Sequence, residues 1–163
     1  MSKIVAAALA LYSFFLIQTS LPNLPSRIPV HFNVTGQPDG WGSPNMLWVL
    51  LGFQVLVCGV MLSMSALGRR YPGSVHFGTR HLSDFTPEQR ELVLPLLDQL
   101  GGWMSVISSL FFVFIIRESI RATGSANPQF HMGWAAALFI VGMVGVSVYY
   151  VRAINRVARA AGS

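Results

Sequence analysis

Apolar residues gather in four long runs that alternate with polar segments along the chain. A helix needs about 20 mostly apolar residues to cross the hydrocarbon core of a bilayer, with a range of about 17–25. Each run reaches that length alone or with a few flanking residues, and the predicted helices cover about residues 4–20, 46–67, 87–120 and 133–152. We therefore predict an all-α integral membrane protein in which residues 1–163 form one bundle of four transmembrane helices.

The third run begins with a strong helix-start signal. Thr86 is expected to be the N-cap, Pro87 the first helical residue, and Gln89 the side chain that reaches back to the cap. Residues 87–100 then place leucines and polar residues at helical spacing, which predicts an amphipathic helix at the membrane surface before the apolar part. Pro95 is expected to bend this helix.

Small residues recur at helical spacing within the runs, for example Gly52 and Gly59 in the second and Gly101 in the third. Such faces allow helices to approach closely in lipid, so they favour a tight bundle. Cys58 is expected to be a packed small side chain. Gln54 is expected to hydrogen-bond a neighbouring helix, because an amide in a membrane helix usually finds a partner there.

Composition supports the membrane class. Hydrophobic residues make up 53% of the chain and charged residues 10%, whereas soluble domains carry about 25% charged residues. In a soluble protein a net charge of +5 would suggest nucleic-acid binding. Here the basic residues lie at the ends of apolar runs, so we expect the lipid bilayer as partner and no nucleic acid.

The basic residues also predict an orientation. With four crossings both termini share a side, and that side holds eight basic residues against three on the other. The positive-inside rule then places the termini and residues 68–100 in the cytoplasm, and residues 21–45 and 117–132 outside. Five arginines on the cytoplasmic side are expected to anchor helix ends at the membrane surface: Arg69, Arg70, Arg152, Arg156 and Arg159.

The loop of residues 21–45 has the pattern of a short extended hairpin. Within it Ile28, Val30 and Phe32 alternate with more polar positions, which is strand periodicity. Residues 36–40 carry turn chemistry, and Trp41 would lie at the level of the lipid headgroups.

At this loop the chain resembles a known family. The runs LPSRIPVHFN and GQPDGWGS are similar to the signature of the DUF1648 membrane domain, and the resemblance covers about residues 10–60. That domain also forms the N-terminal part of SdpI-type immunity proteins of bacteria. The resemblance implies a multi-pass protein of a bacterial cytoplasmic membrane, and it raises an immunity role against a secreted toxic peptide.

We expect the outer loop to be a non-enzymatic binding or sensing module for a peptide or protein ligand. The candidate ligand-binding residues are Pro29, His31, Asn33, Gly36, Pro38, Asp39 and Trp41. Two of them have a simpler interpretation. His31 could hydrogen-bond the loop backbone and fix the hairpin, and Asp39 could cap its own backbone in the turn.

The sequence pattern gives less support to metal binding, catalysis or transport. His31 and Asp39 with His131 could supply ligands to zinc, and residues 76, 81 and 84 (His, His and Asp) form a second loose set. Neither spacing demands a metal, so metal binding stays open, and no cofactor and no catalytic residue is predicted. The apolar parts of the runs, which in the third run means residues 101–116, contain no carboxylate, and this argues against a proton-coupled transporter. Two alternatives stay open: a small membrane-embedded hydrolase or metal-dependent enzyme that uses His31 and His131, and a structural subunit of a membrane complex or oligomer.

Overall fold

The computed structural model describes residues 1–33, 35–77, 80–123 and 132–160, and these residues are mostly helical, as predicted. The helices are α1 (Ser2–Ser20), α2 (Met46–Leu62), α3 (Met64–Arg70), α4 (Pro87–Thr123) and α5 (Met132–Ala160). Two antiparallel hairpins connect them, β1 (Ile28–Phe32) with β2 (Pro38–Gly42), and β3 (His76–Phe77) with β4 (Arg80–His81). The chain is therefore not purely α-helical, and the second hairpin was not predicted.

Helices α1, α4 and α5 are each long and apolar enough to cross a membrane. Helices α2 and α3 make a fourth crossing if they form one span, with a bend of 43° between them. The predicted single helix 46–67 is therefore wrong in one respect, because it breaks at Ser63. The Ser63 hydroxyl donates to the Val60 carbonyl over 2.7 Å, and such back-bonding bends helices. By length and composition these helices are compatible with a multi-pass membrane protein.

Helix α4 is the centre of the bundle, and α1, α2 and α5 all pack against it. Its Gly101 lies against the backbone of α2, where a Cβ atom would stand only 2.1 Å from the Met61 carbonyl oxygen. The small-residue prediction is thus confirmed at Gly101. It is wrong at Gly52 and Gly59, where an added Cβ would meet nothing within 4 Å among the described residues.

The start of α4 follows the sequence prediction. The Thr86 amide donates to Gln89 Oε1 over 2.9 Å, and the Gln89 amide donates to Thr86 Oγ1 over 3.3 Å. These reciprocal bonds satisfy two amides that a helix start leaves free. The helix then runs through Pro95 to Thr123 as one element.

Two clusters of buried side chains lie at opposite ends of the bundle. One joins the β1–β2 hairpin to the helices through Ile17, Ile28, Leu47 and Ile116. The other, which we call the lower core, joins the β3–β4 hairpin to α4 and α5 and consists of Phe77, Leu82, Phe85, Val93, Leu94, Leu97, Leu100, Tyr150 and Ile154. The fully buried Ile154 explains why α5 continues beyond its predicted end at residue 152.

Candidate functional site

The β1–β2 hairpin is irregular in a way that changes which side chains face outward. Pro29 pairs with Trp41, His31 with Gly40, and Phe32 with Pro38, so Val30 and Asp39 have no residue opposite them. Each is an extra residue in its strand, and a bulge of this kind shifts the side-chain alternation by one position. The predicted alternation is therefore wrong, because Ile28 and Pro29 are both buried and the next two residues are both exposed.

The bulge at Asp39 brings its carboxylate to the imidazole of His31. Asp39 Oδ1 contacts His31 Nδ1, and the two side chains are 44% and 71% exposed. Gly40 allows β2 to approach His31 closely, since a Cβ atom there would lie 2.7 Å from the Cβ atom of His31. Asp39 thus bonds a side chain of the opposite strand rather than its own backbone, and His31 bonds a carboxylate rather than the loop backbone. Both simpler interpretations are corrected.

The turn between the strands depends on two of the predicted ligand-binding residues. Asn33 Oδ1 accepts hydrogen bonds from the amides of Thr35 and Gln37, each over 3.0 Å, and from the Thr35 hydroxyl over 2.6 Å. Gly36 is buried and has a φ of 82°, which favours glycine. Asn33 and Gly36 therefore shape the turn.

A mainly apolar groove lies between the hairpin and the helices. It has a volume of about 270 Å³ and is formed by β1, the N-terminal half of α2 and the C-terminal part of α4. We call it the hairpin groove, and its lining residues are Ile28, Pro29, Val30, His31, Phe32, Met46, Leu47, Val49, Leu50, Phe53, Ile115 and Ser119. His31 therefore contributes both to the groove and to the contact with Asp39.

The predicted ligand-binding residues separate into three groups. Pro29 and His31 line the groove, and Asp39 reaches it through His31. The second group is Asn33, Gly36 and the half-buried Pro38, which belong to the turn and to the strand pair beside it. The third is Trp41, which is half exposed on β2. The groove residues of α2 and α4 were missed, because an apolar side chain that lines a groove has the same sequence signal as one that faces lipid.

The structure brings together fewer of the candidate metal ligands than the sequence allowed. His131 lies outside the described residues. Within the described part of the chain, no group of three or more His, Cys, Asp or Glu side chains could hold a metal ion. His76 and His81 do lie side by side on the β3–β4 hairpin, whereas Asp84 accepts a bond from the His81 amide.

Two polar residues inside the bundle behave differently. Cys58 is buried as expected, with its sulfur 3.1 Å from the Ser109 hydroxyl. Gln54 is fully buried, but neither atom of its amide has a hydrogen-bond partner within the described residues. The expected bond from Gln54 to a neighbouring helix is therefore absent there, and the hydroxyls of Ser13 on α1 and Ser108 on α4 are also buried without a partner in that part of the chain.

The five predicted anchoring arginines are all exposed. Arg69 lies 3.4 Å from Glu91 Oε1, and Arg70 donates to the Tyr71 hydroxyl over 3.1 Å. Arg152, Arg156 and Arg159 lie along the last turns of α5, where they form a basic surface with Asn155.

A DUF1648 domain, described as a domain of unknown function, is found at residues 5–55. It spans α1, the β1–β2 hairpin and about half of α2, so the DUF1648 resemblance drawn from the loop is confirmed. The match therefore includes most of the residues that line the hairpin groove, except those of α4. No curated protein and no solved structure matches the chain.

Proposed function

We propose that this chain is a binding or sensing module of a bacterial cytoplasmic membrane, and that the hairpin groove receives its ligand on the outer face. The observation that carries the proposal is the combination of an apolar groove with His31 in its wall and Asp39 in contact with that ring. Ligand sites typically join apolar walls with a few placed polar groups, and this groove has that composition.

The groove suits an amphipathic ligand. Its volume of about 270 Å³ is just below the range of about 300–1,000 Å³ that holds whole small molecules, so it would take one apolar side chain or part of an acyl chain. The ligand would place a polar group beside His31 and Asp39, which are exposed enough to reach it. A peptide or a lipid-derived molecule has both parts.

The proposed orientation places the hairpin outside and both termini in the cytoplasm. It is supported by the basic residues, since eight of eleven lie on the side of the termini. Arg152, Arg156 and Arg159 would then meet anionic headgroups of the inner leaflet, and Trp41 would lie at the outer headgroup level. Reporters fused at position 35 and at the C-terminus test this, and a cytoplasmic hairpin reporter would overturn it.

An immunity role of the SdpI type is part of the same proposal. In that case the ligand would be a secreted toxic peptide whose apolar residue enters the groove. A hydrolase is the second candidate, and the contact between His31 and Asp39 favours it, because a carboxylate that orients an imidazole is one half of many hydrolytic sites. Incubation of a bound peptide with the protein separates the two candidates. A peptide that is bound and stays intact supports the binding module, and cleavage of the peptide supports the hydrolase.

The experiment fills the groove and measures binding. Val49→Trp places an indole in the groove, whereas Val55→Trp makes the same change at an exposed position of α2 outside it. The probe is a fluorescent dodecanoyl peptide with a free amino group, added to purified protein in nanodiscs. We expect Val49→Trp to weaken binding at least about 10-fold, the equivalent of about 1.4 kcal/mol, and Val55→Trp to leave binding unchanged. Equal binding by the two variants would contradict the proposal.

A further inference from the structure

A second concave site lies between the end of α3 and the start of α4, beside the lower core. We call it the α3–α4 pocket, and it is lined by residues from the segments 68–72 and 87–94 and by Leu82. Its volume is about 370 Å³, which lies within the range of about 300–1,000 Å³ that is typical of small-molecule sites. The α3–α4 pocket shares no residue with the hairpin groove.

The apolar part of the pocket belongs to the lower core. Leu82 and Leu94 line the pocket and are almost fully buried. Gly68 allows α3 to approach them, because a Cβ atom there would lie 3.1 Å from Leu82 Cδ2 and 3.4 Å from Leu94 Cδ2. These walls are already packed against each other, so a ligand would lose little binding free energy to ordering them.

Three charged side chains line the same pocket, and they are those of Arg69, Arg90 and Glu91. Arg90 Nε donates to the Phe85 carbonyl over 3.0 Å, and its Nη2 donates to the Ser83 carbonyl over 2.7 Å. These bonds hold the guanidinium and engage two of its five N–H donors. A carbonyl oxygen carries no formal charge, so the positive charge of Arg90 is not neutralised by these partners.

Glu91 offsets the charge of only one of the two arginines. Its Oε1 lies 3.4 Å from Arg69 Nη1, and both side chains are exposed. This distance is longer than the 2.7–2.9 Å of a strong charge-assisted hydrogen bond, so a better acceptor could compete for the Arg69 guanidinium. The lining side chains together carry a net charge of +1, which complements a ligand with one negative charge.

The pocket opens at the depth of the lipid headgroups. The second apolar run ends at Leu67, two residues before Arg69. On α4, Leu94 lies one helical turn, about 5 Å, from the partly exposed Asp98, which pairs with Lys3 over 2.6 Å. The headgroup layer is about 5–8 Å deep on each side of the hydrocarbon core. This depth does not depend on which side of the membrane the pocket faces.

We propose that the α3–α4 pocket binds the headgroup of one anionic phospholipid, with the phosphate at Arg69 and Arg90. Guanidinium groups bind phosphate oxygens through paired N–H bonds, and basic pockets between membrane helices bind anionic headgroups. Inorganic phosphate offers the same oxygens but has no apolar part to contact Leu82 and Leu94. The lipid therefore fits the whole pocket, whereas the free anion fits only its charged side.

The test compares three probes on the purified full chain in a neutral detergent. Native mass spectrometry measures the binding of dioleoyl phosphatidylglycerol, dioleoyl phosphatidylethanolamine and inorganic phosphate. We expect phosphatidylglycerol to bind at least about 10-fold more tightly than phosphatidylethanolamine, which has no net charge, and we expect inorganic phosphate not to bind. Phosphatidylethanolamine or inorganic phosphate that binds as tightly as phosphatidylglycerol would overturn the proposal.

Arg69→Gln and Arg70→Gln are a matched pair of variants. Each removes one charge from an exposed arginine, but Arg70 does not line the pocket and donates to the Tyr71 hydroxyl. We expect Arg69→Gln to weaken phosphatidylglycerol binding at least about 10-fold, as for the loss of a hydrogen bond to a charged group. We expect Arg70→Gln to leave it unchanged. Equal weakening by the two variants would show that the lipid does not bind in the pocket.

Glu91→Gln tests the charge argument in the opposite direction. It removes the one negative charge that lines the pocket and the partner of Arg69. We therefore expect phosphatidylglycerol to bind more tightly to this variant than to the parent. Because the side chain is exposed, the melting temperature in detergent without added lipid should not change. Weaker lipid binding at an unchanged melting temperature would overturn the proposal.

Discussion

The two hairpins of this protein use histidine in opposite ways. In the β1–β2 hairpin a bulge brings a carboxylate to the ring of His31, so the ring has an acidic partner and also lines an apolar groove. In the β3–β4 hairpin the partners of His76 and His81 are backbone carbonyls and each other. The first arrangement places a charged group beside an apolar groove, whereas in the second the rings contact the backbone and each other. The partner of the imidazole, more than the histidine itself, distinguishes the two hairpins.

The hairpins also differ in how they are fixed to the helices. The β1–β2 hairpin is attached through Ile28, which is fully buried with Leu47 and Ile116. Directly after β4, Leu82 is fully buried in the lower core. Ile28 belongs to a cluster with residues of α1, α2 and α4 at the edge of the groove, whereas Leu82 belongs to a cluster that includes residues of α4 and α5.

The largest expected effect comes from shortening these two residues. Ile28→Ala and Leu82→Ala should each lower the free energy of unfolding by about 2–5 kcal/mol, because each removes a buried aliphatic group and leaves a cavity. We expect Ile28→Ala also to weaken binding of the dodecanoyl peptide, and Leu82→Ala to leave that binding unchanged. Unfolding in mixed micelles and peptide binding below the transition measure the two effects. A loss of peptide binding in both variants would show that the hairpins are not independent.

Helix positions followed closely from the sequence, because the length of an apolar run is a direct physical requirement of crossing a membrane. The presence of the β1–β2 hairpin followed from the strand pattern of Ile28–Phe32 and from the turn residues, although the strict alternation was wrong. The bulges at Val30 and Asp39 did not, since nothing in the local pattern fixes which residue lacks a partner. The contact between His31 and Asp39 depends on those bulges, and so it could be seen only in the folded chain.

The β3–β4 hairpin shows a different limit. Each strand has two residues, which is too short for any periodic signal. The hairpin forms because Phe77 and Leu82 enter the lower core from either side of it. The same limit applies to the hairpin groove, whose α2 and α4 walls are apolar residues that the sequence assigns equally well to lipid contact.

A smaller effect is expected from adding one methyl group to a glycine in each hairpin region. Gly40→Ala would place a Cβ atom 2.7 Å from His31 Cβ, and overpacking of this kind costs about 1–3 kcal/mol. Gly73→Ala meets nothing within 4 Å among the described residues, so we expect a change within about 0.5 kcal/mol. Thermal unfolding of the two variants in the same detergent measures the difference. Equal melting temperatures would mean that β1 and β2 are not paired at this position.

The smallest effect on stability is expected at the contact between His31 and Asp39. Both side chains are more than 40% exposed, and exposed pairs of this kind contribute about 0–1 kcal/mol. Asp39→Asn should therefore change the melting temperature little. We expect it to weaken binding of the dodecanoyl peptide, because it removes the carboxylate that orients the imidazole and that would face the amino group of the peptide. Asp84→Asn is the matched change beside the other hairpin and should leave peptide binding unchanged. If Asp39→Asn lowers stability strongly and leaves peptide binding intact, the contact stabilises the hairpin and takes no part in ligand binding.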